Sequence, residues 1–395
     1  MTSPFASGPG PAAVYFGFRA GAWLAEHTPR PIAYWFAHAG GRLAYKKAHG
    51  KRGVVEKNLA RVVGTGDHLD EVVKAAFLSY AEYWLETFRL GRYRPEDLMK
   101  MVEPVGNSLE VIEEALSEGK GILVITPHLG FYDLGVAWVG AKGWPFTSVA
   151  EVLRPKALFE WFARIRERHG LKVLPARNGK WVRGKLSEVL DAGECVALVS
   201  DRDLGRRGIW VEFFGERTTF PVSPAMLLVQ KKVPLIAGAI TKNGRTFDLY
   251  FERVPYELSG DAETDVRSMA QVTAGVLEKM VRRAPEQWHL FMTNWPADEA
   301  HLPPRGRKSD SSPQPAPPGL ESPVEPAPIG QAAEADVDEE QAAEADVDHE
   351  QPAEADVDDE QAAEAAVDHE QPVQEADVDQ EQPVQEPAGR ESSVE

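Results

Sequence analysis

In the run ITPHLGFYDLG, His128 stands five residues before Asp133, just past an apolar segment and where helical spacing begins. A histidine in such a turn and a carboxylate in the first helical turn can face one another. The acid then accepts from one imidazole nitrogen and leaves the other to take a proton from a substrate hydroxyl. This is the base half of a catalytic triad, with the nucleophile supplied by an acceptor alcohol. No G-x-S-x-G turn offers a serine in its place. A second cluster, SDRDLGRRGIWVEFFGERTTFPVSPAMLL, brings Asp201, Arg202, Asp203, Arg206 and Arg207 together. Arginine forks match phosphate and carboxylates match sugar hydroxyls, so this loop suits a phosphorylated or polyhydroxylated headgroup. A third set comprises Glu151, Arg154, Arg164 and Arg166. Singly, each has a plain structural reading: Asp133 as a helix cap, 201–207 as a solvated loop, Arg164 and Arg166 as the wet face of a helix. Their coincidence carries the case, because from 120 to 150 the only charged residues besides His128 are Lys120, Asp133 and Lys142.

The elements that must position these groups alternate in period. GILVIT (121–126), FTSVAEV, LKVLPA, CVALVS, VPLIAGAIT and TFDLYFERV read as strands. Helical patterns lie between and after them at YDLGVAWVGA, PKALFEWFARIRERHG, 181–192, about 223–231 and about 262–283. Strands alternating with helices argue for an α/β fold: a central mixed or parallel sheet flanked by helices, preceded by a helical N-terminal region. In such sheets ligands gather at the C-terminal ends of strands, where His128 and Asp201 both fall.

Residues 11–50 combine Tyr15, Phe16, Phe18, Trp23, Tyr34, Trp35, Phe36 and Tyr45 with Arg19, Arg30, Arg42, Lys46 and Lys47, in two helical segments broken at HTPRP. Two readings stay open: helices lying in a bilayer interface, or ordinary helices packed on the core. The boundaries expected are a membrane-associating helical region at 1–115, a catalytic α/β region at 116–300 forming one domain with it, a Pro/Ser-rich linker at 301–330, and acidic decapeptide repeats such as QAAEADVDEE at 331–395. The repeats cannot bury enough apolar surface to offset their ordering entropy, so disorder is expected. They hold the acid: 27 of the 62 Asp and Glu lie beyond residue 300 with only four basic residues, leaving 39 basic against 35 acidic, net +4, in the first 300. Cys195 is the only cysteine, which excludes disulfide frameworks and thiolate zinc sites. No metal site is expected, since His169 and His289 lie in unrelated contexts. Nor is a transmembrane span or signal peptide read from the pattern.

TPHLGFYDLG followed by the long Ser200–Leu228 motif resembles the lysophospholipid acyltransferase superfamily. Within it, the resemblance is to the branch of lipid A lauroyl/myristoyl acyltransferases and actinobacterial phosphatidylinositol mannoside acyltransferases, over about residues 10–297 and including PEQWHLFMTNWP. Asp133, where lipid A enzymes usually carry Glu, tilts the comparison toward the mannoside enzymes. The resemblance implies a glycerolipid acyltransferase-like fold, with His128 as general base and Asp133 as its orienting partner. It further implies that Glu151 and Arg166 line the groove, Arg166 toward the thioester oxyanion, with Asp203 and Glu212 as weaker members of the site. The donor implied is acyl-CoA, a co-substrate and not a resident cofactor, with acyl-carrier protein used by some relatives. The acceptor implied is a glycolipid at the anionic inner leaflet, with no nucleic acid partner, and the location is peripheral on the cytoplasmic face of the cell membrane. Other readings that stay open are late acylation of another glycolipid and a non-catalytic peripheral lipid-binding protein.

Overall fold

In the computed structural model, residues 11–144, 146–176 and 179–299 are described; the linker and repeats fall outside them. The helical region comprises α1 (Pro11–His27), α2 (Arg30–Lys47), α3 (His49–Val63), α4 (Asp67–Arg89) and α5 (Pro95–Met101). Pro29 and Pro31 supply the break between α1 and α2, since proline cannot continue a helix but fits its first turn. Asp67 and Asp70 sit in the first turn of α4, at the positive end of its dipole. Then follow β1 (Val102–Pro104), α6 (Ser108–Ser117), β2 (Ile122–Thr126), α7 (Tyr132–Ala141), β3 (Phe146–Glu151), α8 (Lys156–Glu167), β4 (Leu171–Ala176), α9 (Gly179–Asp191) and β5 (Cys195–Val199). The chain continues through β6 (Ile209–Phe213), β7 (Glu216–Phe220), α10 (Val222–Lys231), β8 (Leu235–Asn243), β9 (Thr246–Arg253), α11 (Ala262–Arg283) and the short α12 (Pro296–Glu299).

Seven strands form one sheet in the order β1-β9-β8-β2-β5-β3-β4. Neighbours run parallel except β8 and β9, which are antiparallel. The central strands β2, up to its last residue Thr126, and β5 are apolar because both faces are covered. Alternation sends Leu123 and Ile125 into a cluster with α9, α10 and α11, and Ile122 and Val124 into one with α7 and α8.

The α/β architecture with its helical N-terminal region is as the periodicities indicate. The three-residue edge strand β1, the antiparallel hairpin β6–β7 and the four-residue helix α12 were not expected. The hairpin turns through Phe214 (φ 52°) and Gly215 (φ 75°), the backbone of a tight two-residue turn.

Candidate active site

The register of β2 on β5 builds the site. Thr126 lies opposite Val199 in the parallel ladder, so two residues further on His128 and Asp201 leave the sheet side by side. The His128 imidazole shares a hydrogen bond of 2.5 Å between Nδ1 and Asp201 Oδ1. Asp201 Oδ2 accepts two more, from the His128 backbone N–H at 3.0 Å and from the Trp288 indole N–H at 2.8 Å. The Asp201 side chain is fully buried and that of His128 is 14% exposed. Burial pushes the Asp201 carboxyl up, but the neighbouring His128 and the hydrogen bonds from His128 and Trp288 outweigh it and hold the group below the usual carboxylate range. Asp201 thus stays ionised and can only accept, so the hydrogen bond to it is donated by the imidazole N–H at Nδ1.

The turn carrying His128 is tied down on two sides. Gly130 N–H donates to Gln287 O (2.8 Å), Phe131 N–H to Ile240 O (3.0 Å) and His289 N–H to His128 O (2.7 Å). Gly130, at φ +64°, comes so close to β8 that a Cβ there would lie 1.8 Å from Ile240 O, so only glycine permits this seat.

The expected contact between Asp133 and His128 is not formed. Asp133 is the second residue of α7, and its carboxylate is buried toward α4 and α8. Arg166 grips it with two donors, Nε to Oδ1 at 2.8 Å and Nη2 to Oδ2 at 3.1 Å. Tyr83 OH (3.0 Å) and Thr87 Oγ1 (3.2 Å) also donate to Oδ2. Tyr83 hydrogen-bonds in turn to Tyr132 OH (2.5 Å), and the Tyr132 ring stands edge-on to His128 with centroids 6.2 Å apart. Burial and the facing Asp133 raise the phenol pKa of both tyrosines, keeping them neutral. For Arg166, burial opposes the charge but Asp133 outweighs it, keeping the guanidinium pKa above its ordinary value.

The remaining expected residues spread over the rim. Arg202 bridges from the end of β5 toward Glu151 at the end of β3 (3.9 Å) and reaches Met292 Sδ (3.3 Å). Asp203 is absorbed by its own loop, accepting from Gly205 N–H (3.2 Å) and Gly208 N–H (2.7 Å). Arg154 and Arg164 are exposed; Arg164 lines an open groove with Tyr15, Arg19 and Trp161. Glu212 points to solvent from the hairpin, whose backbone there is bound to Gln271 of α11. Trp288, Tyr83 and Thr87 were not foreseen; Trp288 lies in the PEQWHLFMTNWP segment, whose apolar look hides a donor.

Fold and site together define an α/β enzyme with a histidine–carboxylate pair at the strand ends. Residues 9–296 match the family described as bacterial lipid A biosynthesis acyltransferase. The chain belongs to that family, and it is an acyltransferase. It is similar to the phosphatidylinositol mannoside acyltransferase of Mycolicibacterium smegmatis, with 33% identity over 71% of this chain and 91% of the relative. It is similar also to the phosphatidylinositol mannoside acyltransferase of Mycobacterium tuberculosis, 33% identical over 64% and 80% respectively. A lipid A biosynthesis acyltransferase of Haemophilus influenzae is 30% identical over 57% of this chain and 68% of its own length.

Proposed function

We propose that the protein moves a fatty acyl chain from acyl-CoA to a hydroxyl of a glycolipid, a mannose of a phosphatidylinositol mannoside, with His128 as general base. The observation that carries this reading is the Nδ1 contact with buried Asp201, which leaves Nε2 without a hydrogen-bond partner among the described residues. Nε2 takes the proton of the acceptor hydroxyl as its oxygen attacks the thioester carbonyl; the tetrahedral intermediate collapses, the C–S bond breaks, and His128 returns the proton to the CoA sulfur. Asp201, not Asp133, holds the tautomer and stabilises the transient imidazolium. Two of the five N–H donors of Arg166 are held by Asp133, so its part toward the thioester oxygen falls to those that remain. The mannoside relatives support the acceptor class.

The reading places the protein on the cytoplasmic face of the membrane through α1 and α2. These helices reverse the usual amphipathic pattern. Small residues, Ala22, Ala25, Ala33 and Gly41, are buried, while Phe16 (66%), Trp23 (58%), Trp35 and Phe36 (both 62%) face outward. Aromatic side chains with Arg19, Arg42, Lys46 and Lys47 nearby suit a helix pair lying at headgroup depth. No helix among the described residues is long and apolar enough to cross a membrane.

The test is transfer from acyl-CoA to purified phosphatidylinositol mannoside in detergent. Folded His128→Ala should lose roughly 10²–10⁴ in rate, and Asp201→Asn should be crippled with it. Near-normal transfer by His128→Ala would refute the base.

A further inference from the structure

The segment Gln287–Asn294 has no catalytic assignment, yet it touches the pair at several points. Leu129 forms an antiparallel bridge with Trp288, His289 N–H holds the His128 carbonyl, and Asn294 Nδ2 donates to the Asp201 carbonyl at 3.1 Å. Its most direct contact is the indole N–H of Trp288 on Asp201 Oδ2. We propose that Trp288 is a positioning residue for acyl transfer: its N–H fixes the Asp201 carboxylate so that Oδ1 is kept for the His128 imidazole.

Indole is a donor and never an acceptor. It can therefore stabilise the ionised carboxylate without competing for the imidazole proton, as a hydroxyl or amide in its place could. Its plane is locked by packing on Phe213, Phe214 and Trp295, with ring centroids 6.0, 5.7 and 6.4 Å away. Oδ2 thus holds two fixed donors, Trp288 Nε1 and His128 N, and the carboxylate cannot turn about its bond to present Oδ2 to the ring. Without the indole N–H, one of those donors is gone. The carboxylate gains freedom to rotate, and Oδ1 becomes a stronger acceptor toward the imidazole.

This inference rests on the reading of His128 as base, and the experiment separates the two. Trp288→Phe keeps most of the packing and loses the donor. As a second variant, 3-benzothienylalanine at position 288 keeps the shape of indole, with sulfur in place of N–H, and guards against a folding defect. In the full chain, kcat for acyl transfer should fall roughly ten- to a hundredfold, the worth of one hydrogen bond to a charged group, while KM for acyl-CoA stays within about twofold. The acid limb of kcat/KM should move to higher pH, because a stronger acceptor at Nδ1 makes the imidazole hold its proton longer. In ¹⁵N-histidine-labelled protein the low-field proton of the His128–Asp201 bond should shift in both variants and vanish in His128→Ala. If His128→Ala is inactive but both Trp288 variants keep the wild-type kcat, pH profile and low-field proton, Trp288 is mere packing and the inference fails. If His128→Ala is active, the base reading itself has failed.

Discussion

Asp133 and Asp201 are both buried carboxylates flanking one short turn, and their neighbours give them different work. Among the described residues the Asp201 carboxylate faces donors only from the His128 and Trp288 segments, whereas Asp133 neutralises the guanidinium of Arg166 from α8. Asp133→Ala should therefore act on stability first: it leaves a buried cation unpaired, which costs about 3–5 kcal/mol. Urea unfolding should show the lower midpoint, and at a temperature where both variants are folded Asp201→Asn should be the slower enzyme. Equal stability of Asp133→Ala and wild type would sink this division. His289 adds a pH term. Its ring is buried with Nε2 on Ser79 Oγ at 2.9 Å, and burial first, then the nearby His128, pushes its pKa down to about 3. The unfolded chain binds the proton near pH 6.5 and the folded one does not, so stability rises with pH between about 3 and 6.5 and is lost on acidification. Acid unfolding followed by circular dichroism should become shallower over this window in His289→Gln; an unchanged curve would count against it. His128 itself was legible from its place at a strand end. Its partner was not, because the neighbour of β2 is set by strand order, which the periodicities do not encode.

At the scale of elements, what the chain pattern announced was the apolar runs and the helical periods: β2, α7, β4 and α11 fall where the sequence puts them. The β6–β7 hairpin escaped because Phe213-Phe214-Gly215 reads as one apolar run, although Trp210 and Glu212 face out while Val211 and Phe213 face in. The α1–α2 pair shows why aromatics there were ambiguous: burial of small residues against α4 decides their direction. At Gly41 a Cβ would lie 2.9 Å from Phe77 O, so α2 sits too close to α4 for any side chain. Arg30 and Tyr34 of α2 also bind the buried Glu86 of α4 (3.2 and 2.6 Å). Deleting residues 1–50 would strip this packing, so point changes are the cleaner probe. Trp35→Glu with Phe36→Glu should leave the melting temperature nearly unchanged, since both side chains are exposed, but abolish co-sedimentation with vesicles containing anionic lipid. High salt should release wild type only in part, because ring burial is not screened. Retention of the double variant on the vesicles would refute this membrane face.

For the whole molecule, charge is divided between two very different stretches: net +4 in the first 300 residues and −23 in the last 95. The described fold closes on Trp295, which is fully buried, and on Asp298, whose carboxylate pairs with Arg61 at 2.9 Å while that guanidinium also lies over the Trp295 ring. The position of a cut therefore matters. Ending the chain after residue 300 keeps these contacts, and acyl transfer in detergent should run at the full-length rate. Ending it after residue 290 removes Trp295 and Asn294, the latter being the donor to the Asp201 carbonyl, and should leave little folded enzyme. On anionic vesicles at low salt the chain ending at 300 should bind more tightly than full length, because 27 acidic residues no longer repel the surface; at about 0.5 M salt, where screening falls to a few ångströms, the difference should vanish. A collapse of the detergent rate with unchanged melting temperature would mean that the acidic stretch meets donor, acceptor or core and is not dispensable to catalysis.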